Sequence, residues 1–135
     1  MLGFISAVQM YLMSLTSTIR RRHQLTQLMR QASAGDHIIL YFPDYRSHNP
    51  HQQLLANAMP ASCLYSPGSI GDALYLQKLC KPGIKITFHL HWPDQILQQP
   101  FFSLFSNQMV QFKQRGGNTL WSIHNLYPRM IKNLS

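Results

Sequence analysis

The sequence predicts an α/β fold, a Rossmann-like parallel sheet of about four strands with flanking helices, preceded by an N-terminal helical extension. Short apolar runs of strand length alternate with longer stretches that carry apolar residues at helical spacing. Gly, Pro and Asn residues separate the two kinds of segment. Because strands that alternate with helices are joined by right-handed crossovers, we expect the strands to lie parallel in one sheet.

The first strand and helix of the predicted sheet follow the extension. Residues 37–42 form a continuous apolar run, which indicates a buried strand. Asn49 and Pro50 then predict a helix start, because Asn is a favoured N-cap and Pro is favoured in the first turn. Pro60 ends this helix, and residues 61–65 are predicted to form the second strand.

The rest of the chain continues this alternation. Ser69 and Asp72 have the spacing of a capping box at the start of the next helix. The third strand is predicted over residues 84–91. Apolar residues at steps of three and four over 101–112 predict an amphipathic helix, and residues 119–124 form the fourth predicted strand.

The charge balance is strongly basic. The 135 residues suit one domain and carry 12 Lys and Arg residues against 4 acidic residues, for a net charge of +8. All the acids are Asp, so few carboxylates are available for mechanisms that use them in pairs. A basic surface suits a nucleic acid, an anionic membrane or a phosphorylated substrate, or serves solubility alone. Most basic residues are scattered singly, so we predict no nucleic-acid partner.

The extension, residues 1–34, has its own character. Its first 19 residues are fairly apolar and precede a basic group, an order opposite to that of a signal peptide. Polar residues make it a poor membrane span. A helix on an anionic membrane is one interpretation, and a helix packed on the domain or a poorly ordered extension is the other. The arginines that would contact the membrane are Arg20, Arg21, Arg22 and Arg30.

The predicted location is the cytoplasm, with peripheral contact at the inner face of the plasma membrane as the alternative. The cysteines, Cys63 and Cys80, come without a secretory signal and are expected to be reduced thiols.

Polar and aromatic residues gather where the predicted strands end. Parallel sheets bind ligands outside the carboxyl ends of their strands. His89 and His91 share a face of the third strand, but only His124 and Asp94 could complete a metal site, so no metal is predicted. His89 is expected to be a hydrogen-bonded core residue, while His91 and Trp92 are expected to emerge at the rim. The chain has no nucleophile elbow, P-loop or dinucleotide fingerprint, and no cofactor is predicted.

Three segments carry a resemblance to a known family. They read FPDYRSHNPHQQLL at 42–55, FHLHWP at 88–93 and KQRGGNTLWSIHNLYP at 113–128. In this order they resemble the bacterial GT-B glycosyltransferases that build capsular and exopolysaccharides, which carry P-x-YR-x-NPYQ, HLHW and K-x-x-G-x-x-x-x-W-T-x-HN-x-x-P-H-E. The resemblance covers residues 35–128.

The resemblance implies an acceptor-binding N-terminal domain that faces a donor-binding C-terminal domain across a cleft. His124 is similar to the family's cleft histidine near the transferred sugar, and is the candidate catalytic residue. The implied substrate-binding residues are Tyr45, Arg46, Asn49, His91, Trp92 and Asn125.

The chain also departs from the family pattern. His51 replaces the usual Tyr, Ser122 replaces the usual Thr, and Arg129-Met130 replace the expected His-Glu. Residues 129–135 are therefore interpreted as a divergent tail. We expect the acceptor-side half of an enzyme that transfers a hexosyl group from a nucleotide sugar to a glycan or lipid-linked acceptor, inactive without a donor-binding domain. It is interpreted as a truncated product or one half of a split enzyme. The alternative is a non-catalytic interaction or membrane-associated module.

Overall fold

The computed structural model describes residues 2–47, 49–91 and 101–122, with side chains described from residue 6 onward. Helices and strands alternate along the chain, which confirms the predicted α/β class. The elements are α1 (Leu2–Gln31), β1 (His37–Phe42), α2 (Pro50–Ala58), β2 (Cys63–Pro67), α3 (Ile70–Leu79), β3 (Lys85–Leu90), α4 (Phe101–Gln114) and β4 (Asn118–Trp121). The second strand begins and ends two residues later than predicted, because the backbone of Cys63 first turns back to the carbonyl of Pro60.

The four strands form one parallel sheet in the order β2-β1-β3-β4. From β1 the chain crosses outward to β2 and then returns past β1 to β3. Right-handed crossovers in opposite directions put α2 and α3 on opposite faces of the sheet. β1 and β3 therefore lie side by side at the centre, where the crossover direction reverses, with Phe42 paired to Leu90 at their carboxyl ends.

The hydrophobic core fills one face of this sheet. Alternate side chains of β1 and β3 point into it, among them Leu40 and Phe88, which are almost fully buried. α1, α3 and α4 contribute the opposing side chains, including Leu25, Leu76 and Phe112. The other face of the sheet carries rings, hydroxyls and imidazoles beside the aliphatic side chain of Ile39. They include Tyr41, Tyr65, Thr87 and His89.

α1 runs parallel to α3 and packs on the core only through its second half. Lys81, after the end of α3, donates from Nζ to the carbonyls of Arg30 and Ala32 at the end of α1. At the other end of α3, Arg21 bonds Asp72 and the carbonyl of Pro67. Ahead of Arg21, every described side chain of α1 is exposed. No helix within the described ranges combines the length and apolar character needed to cross a membrane.

The predicted helix starts are confirmed. Asn49 caps α2, its side chain accepting from the N–H of His51 at 2.9 Å. Ser69 and Asp72 form a complete capping box at the start of α3, with bonds of 2.9 and 3.1 Å. These caps fix the points where the chain leaves the carboxyl ends of β1 and β2, and so they position the loops at that edge.

Candidate functional site

The candidate site lies at the carboxyl edge of the sheet, where β1 and β3 end beside each other. The backbone N–H of His91 donates to the carbonyl of Phe42 at 2.8 Å, so the pairing of the two strands continues to the rim. After β1 the chain enters the loop of residues 43–47, which precedes α2. A parallel sheet offers a crevice for ligands at this position, because the connections on either side of it lead away in opposite directions.

Gln52 holds the loop that follows β1. Its side chain is fully buried, accepts from the N–H of Tyr45 at 2.6 Å and donates to the carbonyl of Pro43 at 2.6 Å. The N–H of Asn49 donates to the carbonyl of Tyr45 at 2.7 Å. The structure therefore brings the predicted residues Tyr45, Arg46 and Asn49 into one turn at the edge of the sheet.

Arg46 is the exposed charged group of this turn. Its guanidinium pairs with Asp44 through two contacts, at 3.0 and 3.3 Å, and lies 5.5 Å from the centre of the Tyr41 ring. The hydrogen bond from Arg46 lowers the pKa of the Asp44 carboxyl and raises the pKa of Arg46 itself. The pair therefore stays ionised and presents donors and acceptors together at the rim.

A shallow groove of about 430 Å³ opens beside this pair. The residues that line it come from the loop and from the first turns of α2, and they are Arg46, Ser47, Asn49, Pro50, Gln53 and Leu54. Its volume falls within the usual range of small-molecule sites, roughly 300–1,000 Å³.

Behind the rim, Tyr65 links two buried histidines. Its hydroxyl lies 3.1 Å from Nδ1 of His89 and 2.9 Å from Nε2 of His91, and the two imidazole rings are 4.0 Å apart. Nε2 of His89 is 2.6 Å from Oγ of Ser122 on the far side. His89 is thus confirmed as a hydrogen-bonded core histidine.

His91 does not emerge at the rim as expected. Only 1% of it is exposed, because its ring turns inward to the Tyr65 hydroxyl and meets the Tyr41 ring edge-on, with centres 6.2 Å apart. Direct contact between this side chain and a ligand in the crevice is therefore excluded in this conformation. His91 can still support the site from beneath the rim.

The hydroxyl of Tyr65 has one proton to share between its two histidines. If it donates to His91, then His89 donates to it from Nδ1 and accepts a hydrogen bond from the Ser122 hydroxyl at Nε2. If it donates to His89 instead, His91 donates to the tyrosine oxygen from Nε2, and His89 donates to Oγ of Ser122 from Nε2. The direction of one hydrogen bond therefore sets the direction of the others in the row of Ser122, His89, Tyr65 and His91. Loss of one donor changes which nitrogen of each imidazole carries its proton.

Burial keeps the two tyrosines of this region protonated. It raises the pKa of Tyr41 to about 12, with a further contribution from the Asp44 carboxylate. Burial also raises the pKa of Tyr65, followed by the effect of Tyr41, whose ring is stacked on it at 4.5 Å. Both hydroxyls therefore remain neutral at neutral pH.

Three of the predicted site residues, Trp92, His124 and Asn125, lie outside the described residues. Within the described ranges, no three His, Cys or acidic side chains are placed to hold a metal ion. The sequence reading missed Gln52, Tyr41 and Tyr65. Gln52 could have been found as a polar residue on the same side of α2 as Leu55 and Ala56. The two tyrosines carry no comparable signal, because neither β1 nor β2 alternates polar and aliphatic residues.

The chain was compared with models of protein families, with curated proteins and with solved structures, and none of the three comparisons gave a match.

Proposed function

We propose that this chain is the acceptor-side half of a glycosyltransferase that moves a hexosyl group from a nucleotide sugar to a glycan or lipid-linked acceptor. The observation that carries the proposal is that β1 and β3 end side by side where the crossover direction reverses, with the turn that holds Tyr45, Arg46 and Asn49 following β1. A parallel sheet binds ligands at such a point. The three sequence segments that resemble GT-B enzymes support the same assignment.

The chemistry of the rim suits a neutral, hydroxyl-rich ligand. Arg46 supplies N–H donors and Asp44 supplies carboxylate acceptors, and both are exposed beside the groove. A sugar hydroxyl both donates and accepts hydrogen bonds, so adjacent hydroxyls can engage the two partners at once. Because each charge of the pair is already balanced by the other, the groove attracts a phosphate less than a free arginine would.

The described carboxylates are held in structural contacts, and this favours an acceptor-binding role over independent catalysis. Asp36 accepts from the N–H of Ser33, Asp44 pairs with Arg46, and Asp72 pairs with Arg21. We therefore propose that transfer needs a donor-binding domain in addition to this sheet.

Saturation-transfer NMR on the purified chain tests this proposal. The probes are methyl hexosides, hexose disaccharides, and UDP- and GDP-hexoses. We expect saturation on the ring protons of the disaccharides, little on the nucleobase protons, and no hydrolysis or transfer of the nucleotide sugars by the chain alone. Saturation concentrated on the nucleobase, or turnover without a second domain, would contradict the acceptor-side assignment.

The variant Arg46→Ala shows whether the signal arises at the proposed groove. Loss of a charge-assisted hydrogen bond should weaken disaccharide binding about tenfold. Arg115→Ala is the matched control, because Arg115 is exposed in the turn between α4 and β4, close to the amino end of β4 and so at the opposite edge of the sheet. Equal binding by both variants would place the sugar elsewhere.

A further inference from the structure

We propose that the first half of α1 docks this chain on an anionic membrane surface. This projecting half, residues 2–20, precedes the point where Arg21 ties α1 to the carboxyl end of β2 and the first turn of α3. The C-terminal end of α1 leads to the amino end of β1. The N-terminal end of α1 therefore projects beyond the opposite, carboxyl edge of the sheet. At 1.5 Å per residue, roughly 28 Å of helix extends beyond the tie.

The projecting half carries an apolar stripe. Its members recur at steps of one, three and four residues along one side of the helix, and each is 41–67% exposed: Val8, Tyr11, Leu12, Leu15 and Ile19. Ser17 and Arg20 lie on the opposite side. Met10 and Met13 are exposed as well, at 68% and 71%, outside the stripe. None of the stripe residues belongs to the hydrophobic core, whose first member along the chain is Leu25.

The charge around the stripe indicates which kind of surface the stripe binds. Residues 1–35 contain no acidic residue, since the first acid in the chain is Asp36. Arg20 and Arg22 are exposed at the base of the projecting half, and Arg30 is exposed further along the same helix. An apolar stripe followed by uncompensated arginines is the pattern of helices that lie in the headgroup region of anionic bilayers.

The same charges disfavour a second copy of this chain as the occupant. Paired helices are usually held in register by acid–base contacts that flank the apolar seam. Two copies of α1 have arginines and no acids to offer each other. The net charge of +8 adds repulsion between whole chains and attraction to an anionic surface.

Other exposed apolar side chains share this edge of the molecule. The first turn of α4 follows the carboxyl end of β3 and exposes Phe101, Phe102 and Leu104. Trp121, 58% exposed, ends β4 at the same edge. Because the projecting half extends past this edge, membrane contact would hold the carboxyl edge close to the bilayer. The inference uses no residue of the candidate sugar site and stands apart from the proposed function.

Vesicle co-sedimentation of the whole chain tests the inference. The probes are vesicles of phosphatidylcholine with 30% phosphatidylglycerol and vesicles of phosphatidylcholine alone, each at low and at physiological salt. We expect binding to the anionic vesicles that weakens as salt rises, and at least tenfold weaker binding to the neutral ones. Equal binding to both, or none to either, would overturn the inference.

Matched variants locate the contact on α1. Leu12→Gln with Leu15→Gln should reduce binding at least tenfold, and Arg20→Gln with Arg22→Gln about fivefold for each arginine removed. The controls are Val110→Gln, which changes an exposed apolar residue near the end of α4 and so close to the opposite edge of the sheet, and Arg115→Gln. All of these side chains are exposed, and only that of Arg22 lies over an aromatic ring, that of Tyr75. Circular dichroism checks that each variant folds.

Two further outcomes would overturn the assignment of this surface. If the controls weaken vesicle binding as much as the α1 variants do, the attraction is one of total charge and not of this helix. If sedimentation velocity shows a dimer that only Leu12→Gln with Leu15→Gln dissociates, the stripe binds a second copy and the membrane assignment is wrong.

Discussion

Nε of Arg21 lies 3.0 Å from Oδ2 of Asp72, the same carboxylate oxygen that caps α3 by accepting from the N–H of Ser69. The guanidinium also donates to the carbonyl of Pro67, the last residue of β2. One arginine of the basic group therefore joins α1, β2 and α3. The sequence places Arg20, Arg21 and Arg22 together, yet the structure gives them different tasks.

Replacement of Arg21 should cost stability, and replacement of its neighbour should not. We expect Arg21→Gln to lower the free energy of unfolding by about 1–2 kcal/mol, because a mostly buried ion pair and a hydrogen bond to a backbone carbonyl are lost. Arg20→Gln should change it by less than about 0.5 kcal/mol. Urea unfolding followed by circular dichroism measures both, and equal effects would mean that the tie contributes nothing.

The hydroxyl of Tyr65 should contribute more to the free energy of unfolding than the hydroxyl of Tyr75. Tyr65→Phe leaves the buried nitrogens of His89 and His91 without their shared partner, so we expect a loss of about 1–3 kcal/mol of unfolding free energy. Tyr75→Phe is the control, because the Tyr75 ring contacts Arg22 through its face. If the two variants unfold at the same urea concentration, the hydroxyl of Tyr65 is not holding the histidines.

Gln52 should shape the sugar site without touching the sugar. Gln52→Ala strands the N–H of Tyr45 and the carbonyl of Pro43, and we expect a loss of about 2–3 kcal/mol together with weaker disaccharide binding. Asn57→Ala, which changes an exposed residue of α2 outside the groove, should be close to neutral in stability and in disaccharide binding. Unfolding and NMR titration of both variants check this, and unchanged amide shifts at Tyr45 in Gln52→Ala would show that the loop does not depend on Gln52.

His37 should make stability depend on pH in a defined direction. Burial lowers its pKa from 6.5, and the charge of Lys85 lowers it further. The folded chain thus binds this proton less readily than the unfolded chain, so the contribution of His37 is complete above pH 6.5 and is lost as the pH falls through the folded pKa. NMR titration of the His37 ring in Lys85→Gln should show its pKa raised relative to wild type.

The control for that titration is Lys113→Gln, which removes an exposed charge from α4 and should leave His37 unchanged. If the two variants give the same His37 titration, Lys85 has no role in setting the pKa.

The fold could be predicted from the sequence because its signals are local. Apolar runs, the Asn49-Pro50 start of α2 and the Ser69–Asp72 capping box depend on residues close together in the chain. The contacts of the site depend on residues far apart. Tyr65 and His91 come from opposite sides of β1, and they meet because the tyrosine side chain reaches across the face of that strand to the inward-turned imidazole.

The same limit applies to the basic group and to the loop after β1. Which of three adjacent arginines is bound to the domain depends on where Asp72 lies in space. The buried role of Gln52, next to the exposed Gln53, depends on how the loop folds over α2. Neighbouring residues of one type are distinguished by distant partners, and a single sequence does not name those partners.

The most direct test of an acceptor site at the carboxyl edge is amide chemical-shift mapping of the isotope-labelled chain titrated with a hexose disaccharide. The proposed function predicts saturable shifts centred on Tyr45, Arg46, Asn49 and His91, which Arg46→Ala weakens about tenfold and Arg115→Ala leaves unchanged. Shifts centred away from the ends of β1 and β3, or none at concentrations that saturate sugar-binding domains, would contradict it.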